Sequence, residues 1–116
     1  MFLILLILLS QQASVTRVRS IALDITKIGT FDTGISAFDV VVEGDIAFVT
    51  DDYTGFYILN ISDPTNPTQL NHTEVYQSYA LWIEGEYAFI GTFASGLLIF
   101  DISDPTNPVK VGEYDD

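Results

Sequence analysis

Ile61-Ser62-Asp63-Pro64-Thr65-Asn66-Pro67 and Ile102-Ser103-Asp104-Pro105-Thr106-Asn107-Pro108 are one heptapeptide written twice, 41 positions apart. Extending outward from it, residues 40–74 align without a gap to residues 81–115, and thirteen of the 35 pairs are identical, far beyond chance. Glu43/Glu84, Gly44/Gly85, Ala47/Ala88, Phe48/Phe89, Gly55/Gly96 and Ile58/Ile99 are among them. A period of this length marks stacked supersecondary units, each too small to bury its own apolar surface. A fainter third copy precedes them: Ile28-Gly29-Thr30-Phe31-Asp32 echoes Val111-Gly112-Glu113-Tyr114-Asp115.

Within each unit, short runs rich in β-branched and aromatic residues alternate with turn residues, which is the strand signal. In the first unit the runs fall at 37–43, 46–50, 56–61 and 68–73, and the second unit repeats them. Gly44 and Gly85 supply the positive φ of a tight hairpin. In Asp-Pro-Thr-Asn-Pro, an aspartate acceptor, two fixed proline φ angles and two missing N–H donors dictate a turn. Val40-Val41-Val42 and Phe56-Tyr57-Ile58-Leu59 are apolar at successive positions, so both faces of these strands are expected to be buried. The fold class that follows is all-β: tandem four-stranded antiparallel blades of a β-propeller, two full units and a partial one.

Leu97-Leu98-Ile99-Phe100-Asp101, followed by Ile102 to Val109 and preceded by Gly85-Glu86-Tyr87-Ala88-Phe89, resembles the LVIVD repeat of bacterial and archaeal surface proteins. That resemblance covers about residues 24–116 and implies a β-propeller in an exported or cell-surface protein. The first unit carries Asn60 where the second has Asp101. Two and a fraction blades fall short of the roughly four to eight that close a ring, so the propeller is incomplete. Association of two to four chains, or membership of a longer propeller, would complete it, so a homo-oligomer or part of a longer propeller is expected.

The 116 residues allow one small domain or a piece of a larger one. Residues 1–14 read as a signal peptide, 15–34 as a lead-in carrying the outer strand of the partial unit, and 35–75 and 76–116 as the two blades. MFLILLILL is about half the length of a membrane span, and Ser10, Ala13 and Ser14 offer small residues for cleavage. An uncleaved anchor or an apolar strand are the alternatives, and any membrane contact is expected only through this segment. Secretion or a cell-surface location is expected.

Lys and Arg total 4 against 16 Asp and Glu, a net charge of −12, which is the wrong sign for nucleic acid. With no cysteine, neither disulfides nor thiolate chemistry are available. His72 is the single histidine and lies on an outer strand, and no G-x-S-x-G elbow accompanies it. Asp51-Asp52 is the best adjacent carboxylate pair, but turn-forming or solvating roles fit it better than acid–base chemistry. No catalytic constellation assembles, and no cofactor is expected. Calcium suits the acidity, but neither an EF-hand loop nor a calcium-binding nonapeptide is present.

Asn60-Ile61-Ser62 and Asn71-His72-Thr73 are glycosylation sequons. Asn60 more readily stands in for the turn-directing aspartate, leaving Asn71 as the better acceptor. Asp63 and Asp104, in identical surroundings, read as turn residues.

The two copies also differ in an informative way. The rim carrying Glu-Gly and Asp-Pro-Thr-Asn-Pro is nearly the same in both, whereas Asp51-Asp52-Tyr53-Thr54 faces Thr92-Phe93-Ala94-Ser95 on the opposite rim. The connection Glu74 to Tyr79 belongs to that variable rim. Loops on a rigid sheet are where binding residues usually lie, so Asp51, Asp52, Tyr53, Tyr76, Gln77 and Tyr79 are the candidate ligand contacts. The reading is an exported, non-enzymatic module that binds a protein or glycan. Its alternative is a structural or assembly unit, or a fragment, of a longer surface propeller.

Overall fold

The computed structural model describes residues 24–115. The expected signal peptide and the start of the lead-in lie outside the described residues. Eight strands follow in chain order: β1 (Ala37–Glu43), β2 (Ile46–Asp51), β3 (Gly55–Asn60), β4 (Thr68–Thr73), β5 (Ser78–Glu84), β6 (Tyr87–Thr92), β7 (Gly96–Asp101) and β8 (Val109–Tyr114). They form two four-stranded antiparallel sheets in sequence order, β1 to β4 and β5 to β8, and the two do not join into one sheet. This is the blade pair expected from the repeat, with strand limits within one residue.

The repeat extends to irregularities. Leu70 bulges out of β4 between the partners of Ile58 and Leu59, and Val111 bulges out of β8 between those of Ile99 and Phe100. Gly44 and Gly85 both take φ near +60°, with open space where a side chain would stand. The Asp-Pro-Thr-Asn-Pro turns superpose in chemistry: Asp63 Oδ1 accepts the Thr65 amide at 3.1 Å, and Asp104 Oδ1 accepts the Thr106 amide at 3.0 Å. Asn60 does replace the turn-directing aspartate, accepting the Ser62 amide at 2.8 Å where Asp101 accepts that of Ser103 at 2.9 Å.

Period-2 alternation sends each strand's apolar residues to both sheet faces. Phe48, Phe56 and Ile58 of the first sheet pack with Leu81, Ile83, Ala88, Ile90, Leu98 and Phe100 of the second, and Leu70 and Val41 close the edges of this inter-sheet core. The other face of the first sheet places Ala47, Val49, Tyr57 and Leu59 beneath the lead-in, where the Phe31 ring meets Tyr57 edge-on at 5.9 Å.

Burial on both faces holds for β3, where Phe56, Tyr57, Ile58 and Leu59 are all buried. It fails for β1. Val40 and Val42 are 58% and 56% exposed, because the lead-in crosses only the outer part of this face and no strand among the described residues covers the inner part. Trp82, 65% exposed, lies on the far face of the second sheet, which nothing covers among the described residues.

Candidate functional site

The β2–β3 turn, the connection into β5 and the β6–β7 turn meet at one rim. A relay of backbone hydrogen bonds joins them: Asp52 N to Ser36 O at 3.0 Å, Gln77 N to Asp52 O at 2.7 Å, and Phe93 N to Gln77 O at 3.2 Å. Gln77 sits at the centre with φ of 57°, the single non-glycine residue in that region among those described. Such backbone costs free energy and persists where surrounding bonds over-determine it, commonly in binding loops.

The structure divides the six candidate residues. Asp51 is fully buried, a correction to its reading as a ligand contact. Its Oδ2 accepts Thr33 Oγ1 and the Ser36 amide, both at 2.8 Å, while Oδ1 accepts the amides of Tyr53 and Thr54 at 3.0 and 3.1 Å. Burial alone would raise its pKa, but these four donors outweigh it and hold the carboxyl well below the ordinary carboxylate range. Asp51 is therefore a structural tie between the β2–β3 turn and the lead-in. Asp52 is half-buried, and its Oδ1 is enclosed without a hydrogen-bond donor among the described residues. Burial, and after it the neighbouring Asp52 carboxylate, raise the Tyr79 phenol above its usual value.

Tyr53 and Tyr76 stand exposed, as does Gln77. Tyr79 is the middle of an aromatic row: its ring meets Phe38 edge-on at 4.7 Å and Phe93 edge-on at 4.5 Å. Phe93 is 78% exposed at the tip of the β6–β7 turn. Phe38 and Phe93 were not among the candidate contacts. They are 55 positions apart in sequence: the ladder of the second sheet sets Phe93 beside Tyr79, and the stacking of the two sheets adds Phe38. Their one sequence signal was exposure-prone aromatic character at rim positions. The row offers rigid apolar area, and the neighbouring Asp52 and Tyr hydroxyls offer hydrogen bonds, the combination used in many binding surfaces.

The remaining candidates lie elsewhere. His72 is exposed on β4, stacked on Tyr57 with ring centres 4.4 Å apart, and its Nε2 meets Thr54 O. Asn71 Nδ2, the atom a glycan would occupy, donates to Thr106 O of the next sheet at 3.1 Å. Among the described residues no three of His, Asp and Glu converge in a way that could hold a metal ion.

Two stacked, unclosed four-stranded sheets of one repeating sequence define a β-propeller-like repeat protein. The LVIVD repeat family model matches residues 34–72 and again 77–116, and the chain belongs to that family. No curated protein and no solved structure matches the chain.

Proposed function

We propose that this chain is a non-enzymatic binding module, exported to the cell surface, that holds a protein or glycan on its variable rim. The observation that carries this reading is the Phe38–Tyr79–Phe93 row, flanked by exposed Tyr53 and Tyr76, on the one rim where the repeats diverge. A repeat that preserves every turn on one rim and replaces them on the other keeps its scaffold constant while its contact surface changes. The strained Gln77 backbone, held by hydrogen bonds on both sides, fixes that surface in one shape, which lowers the ordering cost of binding.

Immobilised full-length chain probed with a glycan array and with cell-surface extract tests this. Phe93→Ala and Tyr76→Ala should each cut retention of a captured ligand by about tenfold, the loss of about 1.4 kcal/mol expected for an anchor. Asp63→Ala and Asp104→Ala, on the opposite rim, should leave retention unchanged. The reverse pattern would move the site to the conserved rim and overturn the reading. A second role, as an assembly unit of a larger propeller, is favoured by the uncovered faces at Val40 and Trp82.

A further inference from the structure

Among the described residues, the uncovered far face of the second sheet and the partly covered far face of the first are the two halves of a contact that the molecule already makes once. Inside the chain, the first sheet presents Val41, Phe48 and Ile58 to Leu81, Ile83 and Ile90 of the second. Adding the 41-residue period, the same presenting positions on the second sheet are Trp82, Phe89 and Ile99, a cross-strand row in direct register that no other element covers among the described residues. Subtracting it, the same receiving positions on the first sheet are Val40, Val42 and Val49. The size changes are complementary. Leu and Ile become Val on the receiving side, where an open depression of about 200 Å³ is lined by Ala37, Phe38, Asp39, Val40 and Val49. Val becomes Trp on the presenting side.

The lead-in identifies what belongs at the outer edge of that seat. Gly29 abuts Pro64 O and Thr65 of the first turn, the position that Asn71 of β4 takes against Thr106 of the second. Residues 28–32 thus lie where the outermost strand of a preceding blade would lie, and among the described residues no strand pairs with them. Their echo, Val111 to Asp115, largely belongs to β8. Gly29 matches Gly112, and Phe31, which rests on Tyr57, matches Tyr114. The lead-in forms no strand, whereas β8 is paired with β7 along its length, so β8 is the better-held occupant.

We propose that a second copy of this chain seats the Trp82 face of its second sheet on the Val40 and Val42 face of the first, and that its β8 displaces residues 28–32. The contact is heterologous and leaves one free face of each kind on the pair. Repetition therefore extends the assembly until it closes as a ring. The lead-in acts as an internal substitute that shields Tyr57 until the partner arrives.

Sedimentation velocity on the full chain tests this with two variants, Trp82→Asp and Val42→Asp. The wild type should associate, and each variant alone should sediment as a monomer, having lost one of the two faces. Mixed together, the variants should form a 1:1 pair that grows no further, because each retains the face the other lacks. Phe31→Ala should tighten wild-type association by about fivefold or more, since it weakens the competing segment. A wild type that stays monomeric at about 100 μM would overturn the proposal and leave the faces to a unit of another chain. Variants that still self-associate, or that fail to pair, would overturn it as well, and weaker association of Phe31→Ala would overturn the displacement. Unchanged circular dichroism of each variant separates loss of contact from loss of fold.

Discussion

Thr33 Oγ1 donates a 2.8 Å hydrogen bond to Asp51 Oδ2 across eighteen residues of sequence. With the Ser36, Tyr53 and Thr54 amides, it makes the Asp51 carboxylate the point where the lead-in, the entry to β1 and the β2–β3 turn are fastened together. Asp51→Asn keeps the size but turns an amide N–H₂ toward two of these donors. A loss of about 2 kcal/mol or more is expected, measured by urea unfolding at neutral pH.

The same carboxylate sets an acid dependence. Its folded pKa lies below the unfolded value near 3.9, so its contribution is complete above about pH 5 and is lost as pH falls through the folded value. Asp101 and Asp104, lowered by hydrogen bonds from Ser103 and Thr106, act in the same direction, so the wild-type curve alone would not isolate Asp51. The stability gap between wild type and Asp51→Asn does. It should be constant between about pH 5 and 7 and narrow progressively below about pH 4. A gap that is flat into acid would remove Asp51 as its source.

Two positive-φ glycines at different turns of the first blade should respond unequally. Gly55 has φ of +119°, and a Cβ there would stand 2.2 Å from Thr73 O and 2.7 Å from Val75 N. Gly44 shares the need for positive φ but faces open space. Gly44→Asn, a residue that tolerates this region, should cost under about 1 kcal/mol. Gly55→Ala should cost more than about 2 kcal/mol, because β4 must move away from β3 to admit it. Thermal melts of the two variants side by side decide this.

The strands, hairpins and repeated turns could be read from residues because their causes are local: Gly44 at a hairpin, Asp63 beside Pro64, alternating apolar positions. Asp51 could not. An aspartate in a turn carries the same sequence whether it faces solvent or, as here, donors supplied eighteen positions upstream. Nor could the aromatic row be read, since Phe38 joins the Tyr79–Phe93 pair of the second sheet only after β1 and β5 are set side by side. Val40 and Val42 read as buried because successive apolar residues are the pattern of a strand covered on both faces, and composition does not say whether anything in the chain covers them.

Export predicts a shortened chain. Residues 2–9 are apolar without interruption, and small residues follow at Ser10, Ala13 and Ser14. Protein recovered from the medium or cell-surface fraction of a producing cell should have its N-terminus near Ala13 or Ser14 by mass spectrometry. An intact Met1 on protein found in the cytosol would contradict export.

At the inner edge, Asp39 joins the two sheets by a bond that the repeat does not duplicate. Its Oδ2 accepts the Leu81 amide at 3.0 Å, and its Oδ1 accepts the amide of Val40 at 2.9 Å. The equivalent position on β5 is Ala80, which can do neither. Leu81 itself is buried in the inter-sheet core, so its N–H has no water to fall back on when the carboxylate is removed. Asp39→Ala is therefore expected to cost about 1–3 kcal/mol. The loss should be localised: Leu81 should lose protection from amide exchange by about tenfold or more, while Ile58 and Ile90, held by the ladders within each sheet, should change only by the drop in global stability. Uniform loss at all three amides would mean that Asp39 contributes to folding in general and not to the junction between the sheets.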